Sequence, residues 1–407
     1  MKNKKVLVIN CGSSSLKYEV YEMPSERSLG KGLVERIGEI IGHIEQKSPA
    51  GVYDRELQIS DHKCAMEIVV KALTDKEVGL INAIDEISAV GHRVVHGGER
   101  YASSVLINQD VIEAIDANSE LAPLHNPANL TGITETQQIL PDVKQVAVFD
   151  TAFHQTLPAA SYLYGLPREF YDKFKIRRYG FHGTSHRFVA SKALEMIHRV
   201  PQNTNVISCH LGNGASVTAI ENGKSVDTSM GFTPLEGLIM GTRCGDIDPS
   251  ILPFLESKGY TPDELLNIMN KKSGLLGLSE ISNDLRDLEK AAEEGNEKAI
   301  EALDAYAYRI RKYIGAYAAN LVKVSALIFT GGIGQHGVKM RERICDRLQN
   351  LGIVLDHDKN RLNGNKPGII SQDYSRIIIL VVPTNEELQI ALDTYRLTFG
   401  EEEDILM

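Results

Sequence analysis

Residues 206–219 read VISCHLGNGASVTA, a β-branched apolar run that enters a glycine-rich polar turn and a second apolar run that leaves it. Gly212 and Gly214 carry no Cβ, so the backbone N–H groups of this turn can approach a phosphate closely. The pattern recurs near the start of the chain, where VLVIN (6–10) enters the turn CGSSSLK (11–17) and YEVYEM (18–23) leaves it. Two such units, about half a chain apart, predict a duplicated α/β fold whose phosphate-facing hairpins oppose each other across a cleft.

The composition is that of an ordinary globular protein with more than one domain. The 407 residues are 43% hydrophobic and 24% charged, and the net charge of −10 argues against a nucleic-acid partner. The apolar run near the start is too short for a signal peptide or a membrane span. The five cysteines form no CxxC pair, so we expect reduced thiols, a cytoplasmic location and no structural zinc.

Hydrophobic periodicity divides the first part of the chain into strands and helices. We predict more sheet over 24–60, helices over 61–84 and 108–117, and buried strands over 87–98 and 143–154. A further helix opens in PLHNPANLTGI (123–133), with Asn126 as its N-cap. The strand over 143–154 reaches Asp150, where we place a domain boundary. Residues 1–150 with about 386–407 form the first predicted domain, and 151–385 form a nucleotide-binding second domain.

The second half is predicted to alternate in the same way. Ser185 is the expected N-cap of a helix within 177–197, and the irregular stretch 225–250 has the length typical of a functional loop. The clearest helix spans about 297–324, with an apolar stripe suited to a core or a dimer interface. A buried strand then enters a glycine turn within 327–335, a helix follows over 338–350, and the chain ends with a strand, a polar turn at 384–386 and a helix.

Two turns have residues that suit a phosphate chain. The first offers the hydroxyls of Ser13, Ser14 and Ser15 with Lys17, and the second is the glycine turn at 210–216. There is no Walker A loop, which argues against a P-loop nucleotide site.

The stretch GGIGQHG (331–337) leaves two alternatives open. Gly332, Gly334 and Gly337 form G-x-G-x-x-G after a strand, and Asp356 follows at about the spacing of a ribose-binding acid. This pattern favours an NAD-dependent dehydrogenase. The alternative is a turn that packs against the adenosine of a single nucleotide, which leaves the two hairpins free to bind its phosphates.

Several isolated polar residues are candidates for the chemistry. Arg93 and Arg243 lie in glycine-flanked, otherwise uncharged stretches and suit carboxylate or phosphate, although a structural ion pair, for instance with Asp246 or Glu99, is the alternative. Three oxygen donors that end apolar strands could hold Mg²⁺ or could instead cap the following turns. They are Asn10, Asp150 and Glu386. Four histidines lie in polar loops, and His182 is the preferred candidate for a donor to a phosphoryl group. They are His125, His182, His154 and His210.

Long motifs in order along nearly the whole chain resemble the acetate kinase (acetokinase) family. They are NCGSSSLK, GHRVVHGGE, PLHNPAN, VAVFDTAFHQTLP, RRYGFHGTSH, HLGNGAS, TPLEGLIMGTRCGDIDP, FTGGIGQH and TNEEL. The resemblance implies two duplicated actin-like (ribonuclease H-like) domains with a nucleotide cleft between them. It also implies Mg²⁺-dependent in-line transfer of the γ-phosphoryl group of ATP to acetate, with Mn²⁺ as the alternative metal and a homodimer as the assembly.

The resemblance further implies roles for individual residues. Asn10 and Glu386 would hold the metal, and Arg93 would bind the substrate carboxylate. Asp150, His182 and Arg243 would be catalytic. The apolar pocket for the methyl group would consist of Val95, Leu124, Phe181 and Pro234. The ATP-binding residues would be Lys17, His210, Leu211, Gly212, Asn213, Gly214, Asp284, Leu285, Arg286, Gly331, Gly332, Ile333, Gly334 and Gln335. Leu285 departs from the family pattern, in which we expect an aromatic residue.

Acid–base chemistry qualifies the role of Asp150. Acetate is ionised at pH 7 and needs no general base to attack phosphorus, so we expect Asp150 to position the metal, water or an arginine. The alternatives for the activity are a propionate or butyrate kinase on the same scaffold, the NAD-dependent dehydrogenase, and an actin- or Hsp70-like ATPase that moves a partner.

Overall fold

The computed structural model describes residues 3–123, 125–362 and 366–400, which divide into two compact units. The first unit contains the described residues up to Phe153 and those from Asn385 onward. The second unit is His154–Thr384.

The first unit is an eight-stranded sheet with helices. Its elements are β1 (Lys4–Cys11), β2 (Ser15–Met23), β3 (Arg27–Glu35), β4 (Gly42–Ser48), β5 (Gly51–Leu57), α1 (His62–Leu73), β6 (Ile87–Val94), β7 (Val105–Leu106), α2 (Gln109–Ala117), α3 (Asn126–Ile139) and β8 (Gln145–Phe149). The strand order is β5-β4-β3-β2-β1-β6-β8-β7.

The second unit is a six-stranded sheet with a larger set of helices. Its elements are α4 (Ala159–Tyr162), α5 (Arg168–Phe174), α6 (Gly183–Met196), β9 (Asn205–Leu211), β10 (Ala215–Glu221), β11 (Lys224–Thr228), α7 (Ile251–Glu256), α8 (Pro262–Lys271), α9 (Gly274–Ser279), α10 (Leu285–Glu293), α11 (Glu297–Asn320), β12 (Ala326–Thr330), α12 (Gly331–His336), α13 (Val338–Cys345), α14 (His357–Leu362), β13 (Gly368–Ile369) and β14 (Ile378–Val381). The strand order is β11-β10-β9-β12-β14-β13. The last helix, α15 (Glu386–Phe399), belongs to the first unit.

Five strands of each sheet are paired in the same order and direction, which confirms the predicted duplication. In the first, β3, β2 and β1 pair antiparallel, and β1, β6 and β8 pair parallel. In the second, β11, β10 and β9 pair antiparallel, and β9, β12 and β14 pair parallel. The hairpins at 4–23 and 205–221 therefore occupy equivalent positions.

Both faces of the first sheet are buried, as expected for parallel strands covered by helices. Along β1, Leu7 and Ile9 pack on one face, whereas Val6 and Val8 pack on the other face with Ile390 of α15. Burying each of these side chains stabilises the fold by about 1.5–3 kcal/mol. This packing fixes α15 against the sheet and so places Glu386, the first residue of α15, beside it.

The stripe on α11 belongs to the core of the second unit. Leu303, Tyr306, Ile310 and Tyr317 are buried, as the helical spacing predicts. Tyr313 is half-buried, and its hydroxyl donates to Asp246 Oδ2 at 2.8 Å.

Two predicted helix caps are wrong. Residue 125 precedes α3, and Asn126 lies inside the helix, where its side chain bonds the backbone of His96 instead. His182 precedes α6, and the Ser185 hydroxyl bonds His210 Nδ1. In both cases a distant partner in the fold outcompetes the local cap that the sequence favours.

The predicted glycine turn after β12 is also wrong, because residues 331–336 form the short helix α12. None of the helices in the described part of the chain combines the length and the apolar character that a membrane span requires. All five cysteines are free thiols. Residues 401–407, in the acidic tail that we expected to be solvated, lie outside the described part of the chain.

Candidate active site

Arg93 and Asp150 form an ion pair at the carboxyl ends of β6 and β8 in the first sheet. Arg93 lies on β6 opposite Val148 of the parallel strand β8, and Asp150 directly follows β8. Arg93 Nε lies 3.1 Å from Asp150 Oδ1, and Arg93 Nη2 lies 2.6 Å from Oδ2. Asp150 is buried, and its charge raises the pKa of Arg93. The pairing holds one edge of the guanidinium and leaves Nη1 without a protein acceptor among the described residues.

Glu386 adds a second carboxylate to this cluster. Its Oε2 atom lies 3.9 Å from Arg93 Nε. Burial raises the pKa of Glu386 to about 7, Arg93 opposes that shift, and the nearby charges of Asp150 and Glu387 add to it. Asp150 and Glu386 thus share one arginine, and the charge of Glu387 adds to theirs, an excess of negative charge that favours a bound cation.

Asn10 and Lys17 lie opposite each other in the first hairpin, next to its serine turn. Gly12 N donates to Ser15 O at 2.8 Å, which closes the turn. Lys17 is exposed and Asn10 is half-buried. Both belong to the same unit as Glu386, so an amide oxygen and a carboxylate are available there. Within the described ranges there is no cluster of three His, Cys, Asp or Glu side chains that could hold a metal. A sparse set of oxygen donors suits Mg²⁺, which keeps several waters and takes further oxygens from phosphates.

Two buried asparagines shape the same edge; the sequence offered Asn126 only as a helix cap and did not single out Asn129. Asn129 Oδ1 accepts from Val95 N at 3.1 Å, and Asn129 Nδ2 donates to Cys11 O at 2.7 Å. Asn126 bonds the backbone of His96 through both side-chain atoms. These bonds fix the chain just beyond β6, where Val95 is buried. Leu124, predicted for the same apolar pocket, lies outside the described residues.

The glycine turn of the second unit is held from both sides. Gly212 N donates to Gly214 O at 3.0 Å, and Asn213 O accepts from Gly241 N at 3.0 Å. Asn213 Oδ1 also accepts from Asn283 Nδ2 at 3.1 Å. The turn therefore connects the β9–β10 hairpin to the loop that carries Arg243.

His182 lies beside this turn in a strained backbone conformation. Its φ of +56° is in the left-handed region, which is uncommon for a residue other than glycine and often marks a functional site. The ring stacks on His210 with centroids 4.3 Å apart, and Nδ1 lies 3.0 Å from Ser216 Oγ. A Cβ built on Gly214 would lie 3.4 Å from His182 Nε2, so this edge of the ring faces the turn.

Arg243 approaches the same glycine. A Cβ on Gly214 would lie 3.5 Å from Arg243 Nη1, which donates to Pro234 O at 3.2 Å. Burial lowers the pKa of Arg243, and in the part of the chain that the structure describes no carboxylate pairs with it. A half-buried guanidinium that lacks a carboxylate partner is a receptor for an external anion. The alternative, an ion pair of Arg243 with Asp246, is not found among the described residues, because Asp246 pairs with Arg309 and accepts from Tyr313 and Gly237 N.

A cavity of about 510 Å³ opens next to the glycine turn. Its lining combines apolar side chains, glycine backbone and a few polar groups, which is typical of a small-molecule site. The residues are Gly212, Asn213, Asn283, Asp284, Leu285, Arg286, Glu289, Gly332, Ile333, His336 and Gly337. The structure thus brings together most of the residues predicted to bind adenosine. Gly331, Gly334 and Gln335 lie in α12 but are not among the lining residues.

The dinucleotide interpretation of this stretch is wrong. Gly332 and Gly334 lie inside α12, and Gly337 separates α12 from α13. Asp356 does not face the cavity, because its Oδ1 atom accepts from the backbone N–H groups of Asp358 and Lys359. The acid that the motif requires is therefore a cap of α14.

Arg341 is a further residue that the sequence did not reveal. Its side chain is fully buried and donates to the carbonyl oxygens of Gly334 and Gln335 and to Asn360 Oδ1, all within 2.8 Å. Burial lowers the pKa of Arg341 to about 10. The arginine holds the carboxyl end of α12 and so positions the wall of the cavity. The sequence MRER alone is typical of an exposed helix face, so the pattern contained no signal for this role.

The duplicated sheet, the glycine turn and the arginines define the class of protein. A turn that faces a nucleotide-sized cavity, beside an arginine for which the described ranges offer no carboxylate partner, is the arrangement of an actin-like ATP-dependent phosphotransferase. The chain belongs to the acetokinase family, whose model matches residues 5–392. It is thus a kinase of the class that phosphorylates a carboxyl group.

Three relatives illustrate the similarity. An acetate kinase from Clostridium botulinum is 55% identical over 395 residues, which cover 97% of this chain and 99% of the relative. The crystal structure of Porphyromonas gingivalis acetate kinase is 46% identical, with a TM-score of 0.94 over 97% of this chain and 99% of the other. A propionate kinase from Francisella tularensis is 43% identical, with a TM-score of 0.91 over 97% of this chain and all of the other.

Proposed function

We propose that this enzyme transfers the γ-phosphoryl group of ATP to acetate and forms acetyl phosphate and ADP. Family membership supports the choice of reaction. The structural observation that supports it most is the position of Arg243, an arginine without a carboxylate partner among the described residues, beside Gly214 and His182. The phosphates of ATP lie at the glycine turn, and the adenosine lies in the adjoining cavity.

The proposed mechanism is direct in-line transfer. Arg93 binds the acetate carboxylate through the edge of its guanidinium that Asp150 leaves open, and Asp150 orients that guanidinium. No proton is removed from the ionised acetate, so Asp150 acts by positioning. As negative charge spreads over the equatorial oxygens, Arg243 and His182 donate to them. Val95, Phe181 and Pro234 are proposed to contact the methyl group.

Asn10 and Glu386 are proposed to hold the divalent metal, with Mg²⁺ preferred and Mn²⁺ as the alternative. When bound, the metal neutralises charge on the β- and γ-phosphates. The two carboxylates that share Arg93 and the raised pKa of Glu386 support a cation at this position.

The proposed metal site predicts a pH dependence in the protein without nucleotide. Because the pKa of Glu386 is about 7, protons compete with the metal, and Mg²⁺ affinity should fall by up to about tenfold per pH unit below 7. Thermal shift with Mg²⁺ at pH 6, 7 and 8 should show a growing stabilisation, which Glu386→Gln abolishes. Because the pKa of Glu386 is higher in the folded state, the folded state binds this proton more tightly than the unfolded state does. Without metal, the free energy of unfolding of the wild type should therefore decrease as pH rises from 4.5 to 7, relative to that of Glu386→Gln. Equal Mg²⁺ stabilisation at all three pH values would contradict the assignment.

The experiment that tests the function is a hydroxamate assay. The enzyme is incubated with ATP, Mg²⁺, acetate and hydroxylamine, and acyl hydroxamate should form only when all components are present. A parallel binding measurement with NADH should give no signal. ATP hydrolysis that is independent of any carboxylate would instead favour a partner-moving ATPase.

A propionate kinase on the same scaffold is the second candidate. The similarity to the Francisella tularensis propionate kinase favours it. One methylene changes discrimination by only about 1–3 kcal/mol, so a few pocket contacts decide the preference. The ratio of kcat/KM for acetate, propionate and butyrate distinguishes the candidates, and we expect acetate to be highest.

The proposed assembly is a homodimer in the cytoplasm. Support for the cytoplasm comes from the five free thiols. Support for a dimer comes from the second unit, where several large apolar side chains between residues 247 and 281 are exposed. They include Ile251, Phe254, Tyr260, Leu266 and Leu278. Exposed apolar side chains that form one patch mark a protein–protein interface.

The dimer proposal predicts a mass of twice that of one chain in size-exclusion chromatography with light scattering. Phe254→Lys combined with Leu266→Lys should shift the enzyme toward monomer, whereas Val200→Lys, at an apolar residue outside this stretch, should not. A wild-type protein that is monomeric at micromolar concentration would contradict the proposal.

A further inference from the structure

The hydroxyl of Ser216 lies between two histidine rings of the second unit. Its Oγ atom is 3.0 Å from His182 Nδ1 and 2.7 Å from His186 Nε2. Ser216 is on β10 and fully buried. His182 immediately precedes α6, and His186 lies in its first turn, where His186 N donates to His182 O at 2.9 Å, so both rings reach the same residue of β10.

His186 is bonded at both ring nitrogens. Nδ1 lies 3.0 Å from the hydroxyl of Ser208, which is on β9, the strand paired with β10, and Nε2 faces Ser216. The ring is fully buried, and burial, with smaller contributions from His154 and His210, lowers its pKa well below the usual value. His186 is therefore neutral and carries a single N–H group.

The number of available protons restricts the arrangement of this network. A serine hydroxyl donates one proton, so Ser216 can donate to only one of its two histidine partners and must accept from the other. When His186 Nε2–H donates to Ser216, Ser216 donates to His182 Nδ1. Ser208 then donates to His186 Nδ1, and every group in the network is satisfied. The reversed chain, in which His182 Nδ1–H donates to Ser216 and Ser216 donates to His186 Nε2, satisfies the same groups but leaves His182 Nε2 without a proton, so the proposed donor role of His182 selects the first arrangement. A neutral His182 in this arrangement has its own proton on Nε2.

The position of the Nε2 proton matters because this edge of the His182 ring faces the glycine turn. Nε2 would lie 3.4 Å from a Cβ on Gly214, close to Arg243. A proton on Nε2 lets the ring donate to a phosphoryl oxygen. The other neutral tautomer presents a lone pair there, which repels the negative charge of the transition state.

We propose that Ser216 and His186 are positioning residues that hold His182 in the tautomer with its proton on Nε2. The proposal rests on the proposed function, because it assigns the Nε2 donor to the transferring phosphoryl group. Ser216 and His186 are buried and do not line the cavity. The proposal assigns both residues a role in the reaction.

Ser216→Ala tests the proposal through a split between kcat and KM. We expect kcat to fall by roughly 10- to 100-fold, the loss caused by removing the partner that orients a metal-bound histidine. KM for ATP and for acetate should change by less than about threefold, because neither ligand contacts Ser216. The matched control is Thr218→Val, which removes a buried hydroxyl from the same strand that bonds Thr228 instead of a histidine. Its kcat should be unchanged. A Ser216→Ala kcat equal to that of the control would overturn the proposal.

The tautomer itself can be read in the wild-type enzyme, which removes any dependence on the folding of a variant. Long-range ¹H–¹⁵N NMR of histidine-labelled enzyme with ADP, Mg²⁺ and acetate should show the His182 signal with its proton on Nε2. A proton on Nδ1 alone would contradict the inference even if acyl phosphate is formed. Absence of acyl phosphate in the wild type would instead reject the function. His186→Gln, which can still donate to Ser216, should retain more activity than His186→Phe.

Discussion

Replacing Arg243 with alanine is expected to lower kcat by roughly 10³- to 10⁵-fold, the range of arginines that stabilise a phosphoryl-transfer transition state. Arg243 is the guanidinium beside the glycine turn that has no carboxylate partner among the described residues, so its charge is available to the transferring group. The interaction strengthens only as charge develops, so KM for ATP should change far less than kcat. Steady-state kinetics in the hydroxamate assay measures both parameters.

Two controls define what the Arg243→Ala result means. Arg168→Ala removes an exposed arginine of the same unit, paired with Asp172, and should leave kcat unchanged. Arg243→Lys keeps the charge but loses the planar fork, so we expect it to recover only a small part of the activity. A kcat within threefold of wild type for Arg243→Ala would remove this arginine from the mechanism.

Replacing Arg93 with alanine is expected to raise KM for acetate by roughly 30- to 4000-fold. Truncating one partner of a buried, hydrogen-bonded charge pair costs about 2–5 kcal/mol, and each 1.4 kcal/mol corresponds to a factor of ten. The variant loses its carboxylate receptor and leaves Asp150 and Glu386 without their shared counter-charge. KM for ATP should change much less, because the cavity and the glycine turn belong to the other unit.

The double variant Arg93→Ala with Asp150→Asn separates the two contributions. If Asp150 acts mainly by orienting Arg93, its removal should cost little once the arginine is gone, so the two losses should be strongly non-additive. Fully additive losses would assign Asp150 a separate role. An unchanged acetate KM in Arg93→Ala would exclude the arginine from the carboxylate site.

The sequence predicts those parts of the fold and the site that depend on local pattern. Alternating apolar runs around two polar turns are sufficient to predict both hairpins and the duplicated sheet. Asp150 and Arg93 are visible in the sequence as single charged residues at or near the ends of apolar strands. Strand pairing then brings them together, because parallel neighbours end at the same edge of a sheet.

Other features depend on partners that are distant in the chain, and local pattern does not reveal them. Glycines disfavour a helix, so GGIGQH predicts a turn. The structure instead forms α12, and the buried Arg341 satisfies carbonyl groups at its end. Asn126 and Ser185 likewise have the residue types of caps but are used for long-range bonds. The bridge from His186 through Ser216 to His182 could be found only once α6 and β10 were placed side by side.

The most direct measurement of the central claim is a crystal structure of the enzyme with ADP, Mg²⁺, acetate and a planar fluoride mimic of the transferring phosphoryl group. The account predicts adenosine in the cavity beside α12 and the mimic within hydrogen-bonding distance of Arg243 and His182 Nε2. It also predicts that the acetate carboxylate lies on the open edge of Arg93. A nucleotide bound away from the glycine turn, or a mimic that contacts neither Arg243 nor His182, would contradict the account.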